Sequence, residues 1–197
     1  MRVSPKAKAK PKPKPKPKPK PAWRAAMACV AITALAAPVS AETSGVSATG
    51  FTSSFREELS VSPDAAWQAI VQLPRWWSDA HTWSGRAANM SLDLQAGGCW
   101  CERWGEGHSS QHGQVVLVQP GRVLRLQASL GPLQELPVAG VLTIVTSVQD
   151  GKTALRMSYR VGGPADAGLD KLAPLVDQVI GAQFKRLKTL AETGRAE

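Results

Sequence analysis

Residues 138–161 read VAGVLTIVTSVQDGKTALRMSYRV, two runs of β-branched and apolar residues flanking Asp150-Gly151. Asp-Gly between alternating apolar residues is a strong hairpin signal, because the favoured tight turn needs positive φ at both central positions. The spacing predicts strands over Val138–Val148 and Thr153–Val161. In the second strand Leu155, Met157, Tyr159 and Val161 share one face, while Arg156 and Arg160 take the other. A helical pattern follows at once: Leu169, Leu172, Ala173, Val176, Ile180, Phe184 and Leu187 recur at three- and four-residue intervals. A hairpin that delivers the chain into one long amphipathic helix makes an α+β domain, with the sheet covering the apolar stripe of that helix.

Reading backwards adds strands. Arg122–Leu130 alternates, with Leu124, Leu126 and Ala128 opposite Arg125 and Gln127, and Leu130–Pro137 interrupts before the hairpin. Gly113–Gln119 is a strand ended by Pro120-Gly121, and Gly105–His112 reads as a loop. Cys99–Trp104 is a strand, and Met90–Gln95 is another that ends at Gly97-Gly98. Gly50–Val61 is the first strand, with Phe51, Ser53, Phe55, Glu57 and Leu59 on one face and Glu57 as its imperfection. Ser62-Pro63-Asp64 opens a helix with a Ser cap, an early Pro and an acid in the first turn. That helix carries Ala66, Trp67, Ile70 and Val71 and stops at Leu73-Pro74; Arg75–Trp83 is a second short helix or a structured loop. The expected architecture is α+β: a curved antiparallel sheet of about seven strands wrapped around the long C-terminal helix, with two short helices after the first strand. A strongly bent sheet around one helix cannot close completely and leaves a cavity between them.

The formal charge of +9 belongs to the N-terminus. Residues 1–41 hold ten basic residues and no acid, so the rest of the chain is almost neutral. Its basic residues are scattered without an aromatic-interleaved stripe, which argues against nucleic acid as a partner. Lys10–Pro21 repeats Lys-Pro, an extended segment that cannot build a core. The apolar run Ala25–Ala37 is too short to span a bilayer as a helix, and Val39-Ser40-Ala41 supplies the small residues of a cleavage site. Residues 1–41 therefore read as a signal peptide with a Lys-Pro-rich basic region, 42–49 as a disordered leader, and 50–193 as the folded domain. Export to the periplasm or medium is the expectation, and an uncleaved N-terminal membrane anchor is the alternative.

Ser62-Pro63-Asp64-Ala65-Ala66-Trp67, the pair Trp76-Trp77, Gly97-Gly98, Pro120-Gly121-Arg122 and Gly151-x-Thr153 occur in an order and spacing that resemble the START-like (SRPBCC) superfamily. More narrowly, they resemble its branch of polyketide cyclase-type proteins and heat-shock ATPase activator homologues. The resemblance covers nearly all of 50–192. It implies the helix-grip fold and a sheet–helix cavity for hydrophobic ligands such as lipids, sterols and polyketides; a minority of the superfamily are enzymes. An exported chain fits poorly with a cytosolic ATPase as partner.

Six of the seven tryptophans fall between Trp67 and Trp104. Trp67, Trp76, Trp77, Trp83, Trp100 and Trp104 serve either an ordinary core or the wall of a cavity for an apolar or aromatic ligand. His112, Tyr159 and Asp177 are the polar candidates for the same cavity. His112 and Asp177 would carry the chemistry if the domain were a cyclase, aromatase or hydrolase. Trp100 and Trp104 share a strand face opposite Cys99 and Cys101, and the pattern leaves open which pair looks inward. Extended backbone would set the two cysteines roughly 6.7 Å apart at Cα with parallel side chains, which disfavours a bond between them unless a bulge intervenes. With His108 and His112 they make C-x-C-x6-H-x3-H, a spacing that zinc or copper could use but not a standard signature, and buried structural cysteines are the simpler reading. No nucleophile motif is present and no cofactor is implied. The leading expectation is non-covalent binding of a small hydrophobic or aromatic molecule, with enzymatic and metal-binding alternatives behind it. Ligand identity and oligomeric state are not encoded in any of these patterns.

Overall fold

The computed structural model describes residues 12–16 and 40–196. The chain divides into two units, 1–36 and 37–197. In the first, Lys12–Lys16 have no regular secondary structure; the rest of the signal-peptide reading up to residue 39 lies outside the described residues. The second unit runs β1 (Ser40–Ser47), β2 (Gly50–Leu59), α1 (Pro63–Val71), α2 (Leu73–Trp76), β3 (Met90–Leu92), β4 (Cys99–Trp104), β5 (His108–Gln119), β6 (Val123–Gln127), β7 (Ala139–Gln149), β8 (Lys152–Gly162) and α3 (Leu169–Thr193). The strands form one curved antiparallel sheet in the order β1-β2-β8-β7-β6-β5-β4-β3, with α3 against it, which is a helix-grip fold.

Two expectations about strands are corrected. Residues 42–49 are not a disordered leader, because Ser40–Ser47 pairs with β2 from Ser40 opposite Arg56 to Ser47 opposite Gly50. Residues 42–49 are all exposed, so this edge strand is held by its backbone ladder and shows no apolar alternation to read. Residues 108–112 are not a loop but the start of β5, whose polar run HSSQH pairs with β4. The turn between those strands is only Gly105–Gly107 long.

Local chemistry explains the helices. The Ser62 hydroxyl accepts the Ala65 N–H at 3.2 Å and caps α1, and Pro63 begins it. From its middle onward α3 buries Ile180, Phe184, Leu187 and Leu190, and Phe184 stacks on Phe55 of β2 at 5.7 Å between ring centroids. Gly181 lets the helix approach this closely, since a Cβ there would sit 3.0 Å from the Phe55 ring. Glu57, the imperfection of the first strand, is explained by α3: the Lys188 ammonium donates to its carboxylate at 2.8 Å. Nearer its N-terminus Leu169 and Ala173 are buried, but Leu172 and Val176 on the neighbouring face are only half-buried. The gap beside them is the site.

Tyr159 holds one wall of that gap from behind. Its hydroxyl donates to the Ala128 carbonyl at 2.9 Å and accepts the Leu130 N–H at 3.1 Å. Burial pushes its phenol up from the ordinary tyrosine value, although the Leu130 N–H opposes the shift, so the group stays neutral. Tyr159→Phe is expected to cost about 1–3 kcal/mol in urea denaturation, the effect of leaving buried backbone groups unpaired.

Candidate functional site

Between residues 77–83, residues 130–133 and the N-terminal half of α3 lies a cavity of about 400 Å³. Its wall is mostly apolar: Trp77 and Trp83 on one side, Leu130 and Leu133 on another, and Leu172, Val176, Val179 and Ile180 from α3. His81, Thr82 and His112 are the polar side chains in this lining. At its edge Trp83 is 48 % exposed and Leu175 63 %, two large apolar side chains turned to solvent beside an apolar hollow. The volume falls within the range of small-molecule sites.

His112 reaches the cavity because of a β-bulge. In the β4–β5 ladder Trp100 pairs with Gly113 and Cys101 with Gln111, so His112 is the extra residue, without a partner of its own. A bulge of this kind re-aims a side chain and bends the strand. Gly113 lets β5 pack against its next neighbour, since a Cβ there would lie 2.7 Å from the Ala128 side chain. The imidazole, 4 % exposed, lies against the Trp100 indole at 5.3 Å. Its Nε2 is 2.7 Å from Oε2 of Glu102, a fully buried carboxylate. Carboxylate on one ring nitrogen fixes that nitrogen as the N–H, so the lone pair of the neutral ring is on Nδ1.

Glu102 also fastens the loop that carries the rim. Its Oε2 accepts the Trp83 N–H at 3.0 Å and its Oε1 the Ser84 N–H at 2.6 Å. Burial pushes its carboxyl up, but the hydrogen bonds from Ser84, Trp83 and His112 outweigh burial and hold it below the ordinary glutamate value. The loop has further ties: the Ser78 N–H donates to Gln183 at 2.8 Å, the Ala87 N–H to Asp79 at 2.6 Å, and the Trp77 indole to the His81 carbonyl at 2.8 Å.

Of the nine predicted cavity residues, Trp77, Trp83 and His112 line the cavity and six do not. Trp67 is buried on α1, and Trp76 is buried with its indole donating to the Ile70 carbonyl at 3.2 Å. Trp100 lies behind Trp77, its ring edge-on at 4.8 Å, and so forms the floor beneath the lining. Trp104 packs edge-to-face on His108 near the β4–β5 turn. Tyr159 braces the wall from behind. Asp177, one helical turn before Gly181, shares the helix face that meets Phe55, away from the cavity lining. The inward pair of β4 is Trp100 and Glu102, and Glu102 is the residue that sequence reasoning missed. Period-two alternation does set it on the Trp100 face; its partner ten residues later depends on the bulge.

Cys99 and Cys101 are joined in a disulfide, not separate buried thiols. At the bulge, where the ladder shifts between Trp100 and Cys101, the Cα atoms approach to 5.4 Å, inside bonding reach. Thiolate ligation through C-x-C-x6-H-x3-H is therefore not assembled, and His112 is instead paired with Glu102. Among the described residues no group of three or more His, Cys, Asp or Glu is gathered in metal-binding geometry.

No family model matches the chain, and no curated protein matches it. Solved structures do share its architecture. A protein from Arthrobacter aurescens superposes with a TM-score of 0.53 at 16 % identity, over 81 % of this chain and 95 % of that one. DynU16, from the dynemicin biosynthetic locus, gives 0.52 at 16 % identity over 74 % of this chain and 48 % of its own length. The protein Ara h 8.0201 gives 0.51 at 14 % identity over 72 % of this chain and 97 % of its own. These structures share the helix-grip architecture of this chain. At these identities the likeness is one of fold, and function rests on the cavity.

Proposed function

We propose that the domain binds a small hydrophobic or aromatic molecule in the sheet–helix cavity. The observation that carries this reading is an apolar hollow of about 400 Å³ edged by two exposed apolar side chains, Trp83 and Leu175. Burying apolar ligand surface there returns about 25 cal/mol per Å² before the cost of association. His112 would orient a polar group on an otherwise apolar ligand. The test is a titration of the full chain with fatty acids, sterols and fused-ring aromatic compounds, followed by tryptophan fluorescence and thermal unfolding. At least one class is expected to quench fluorescence and raise Tm; Val176→Trp, which fills the cavity, is expected to weaken that binding at least tenfold. Unchanged fluorescence and Tm across the panel would refute the reading.

A second reading, an enzyme of cyclase, aromatase or hydrolase type, is favoured by the buried His112–Glu102 pair at the cavity wall. Within the superfamily the motif resemblance supports the branch of polyketide cyclase-type proteins and heat-shock ATPase activator homologues, and export would set aside activation of a cytosolic ATPase. Export of the mature domain is part of the proposal. Its support is the basic and apolar pattern of residues 1–41 together with the Cys99–Cys101 disulfide, a bond typical of oxidising compartments. Cleavage after Ala41 would leave Glu42–Ser47 to pair with β2. The mass of the protein recovered from the periplasm or medium tests this, with loss of residues 1–41 expected. No helix among the described residues is long and apolar enough to cross a membrane, and nucleic acid has no place in the proposal.

A further inference from the structure

The geometry points to His112 as a general base that removes a proton from a carbon beside a carbonyl on a ligand held in the apolar cavity. This rests on the binding reading above and adds chemistry and a substrate class to it: enolisable ketones on a fused-ring or similarly apolar frame.

Three observations converge. First, His112 Nε2 is committed to the buried Glu102 carboxylate at 2.7 Å, which makes Nε2 the N–H and leaves the lone pair on Nδ1. Among the described residues no hydrogen bond reaches that second nitrogen. Second, the bulge aims this side chain into the lining of the apolar cavity. Third, His112 is shared with a second, polar depression lined by Gln111, Gln114, Gln127, Ser129 and Gln134. Residue 112 thus borders both the apolar cavity and a polar depression.

The step balances without a co-reactant. The α-C–H bond breaks, its electron pair becomes the C=C of an enolate with charge on the ketone oxygen, and the proton moves to Nδ1. The imidazolium so formed is stabilised by Glu102 on Nε2. Return of a proton to the same carbon gives exchange, and to a conjugated position gives isomerisation. Glu102 is a positioning residue: it sets the tautomer and touches no ligand. The titratable groups around the imidazole are Glu102 on β4 and His81 at the rim; α3 and residues 130–133 present apolar side chains to the same cavity.

The experiment uses the full chain and 2-tetralone in D₂O, with binding followed by calorimetry and α-proton exchange by NMR. Wild type is expected to bind and to accelerate exchange at least 100-fold over buffer. His112→Gln should lose the acceleration at saturating 2-tetralone, with binding measured on the same sample. Glu102→Gln, which removes the negative charge that holds Nε2 as the N–H and stabilises the imidazolium, should also lower the exchange rate at saturating 2-tetralone. Binding without accelerated exchange, or acceleration that survives His112→Gln, overturns the base assignment and leaves the binding reading intact. If 2-tetralone does not bind but another panel member does, enolisable ketones are excluded as the substrate class; if nothing in the panel binds, both readings fail together.

Discussion

Glu102→Ala is expected to lower the unfolding free energy by about 3–5 kcal/mol, the cost of removing one partner from a buried hydrogen-bonded charge. One carboxylate satisfies His112, the Trp83 N–H and the Ser84 N–H, so its loss strands three donors in the interior and frees the rim loop. The same group gives stability a pH dependence of defined sign. Burial alone would raise its pKa, but the hydrogen bonds from Ser84, Trp83 and His112 leave it below the ordinary value of 4.5. A carboxylate depressed on folding stabilises the native state fully above its unfolded pKa, and that stabilisation is lost as pH falls through the folded one. Urea denaturation of wild type should therefore weaken below about pH 4.5, and Glu102→Gln should show a shallower acid loss. A larger stability of wild type at pH 3 than at pH 7 would contradict the hydrogen-bonded assignment.

Trp100→Ala is expected to cost about 3–5 kcal/mol as well, because a fully buried indole is replaced by a void beneath Trp77 and His112. Trp83→Ala should behave oppositely. With nearly half its surface exposed, Trp83 contributes little packing, and its truncation should change stability by at most about 0.5 kcal/mol while weakening ligand binding at least tenfold. Paired denaturation and binding measurements on the two variants separate the indoles that build the fold from those that meet the ligand. Equal losses of stability at both positions would show that the cluster is simply core.

What could be read from the sequence was what local chemistry dictates. The Ser62 cap, the Asp150-Gly151 hairpin and the apolar stripe of α3 are each contained within a few turns or strands, and each forms as its pattern indicates. β1 was hidden because an edge strand with both faces in water needs no apolar alternation. The site was legible only in outline. Trp77, Trp83 and His112 belong to it, but the dyad depends on a register in which His112 is inserted opposite the Trp100–Cys101 step. That register is a property of two strands together, and neither strand alone specifies it. The disulfide had the same origin: a two-residue spacing that regular extended geometry disfavours becomes closable where the ladder shifts. Asp177 illustrates the reverse error, since helical periodicity set it near the apolar stripe while its Oδ1 is buried without a partner, off the cavity lining.

The most direct test of the cavity as a ligand site is the set of indole N–H resonances in a ¹⁵N–¹H spectrum during titration with the best binder of the panel. The account predicts that the Trp83 and Trp77 signals shift with saturation at one equivalent, while those of Trp67 and Trp104 stay fixed. Shifts confined to Trp67 or Trp104, or none at any indole on addition of a compound that binds, would contradict it.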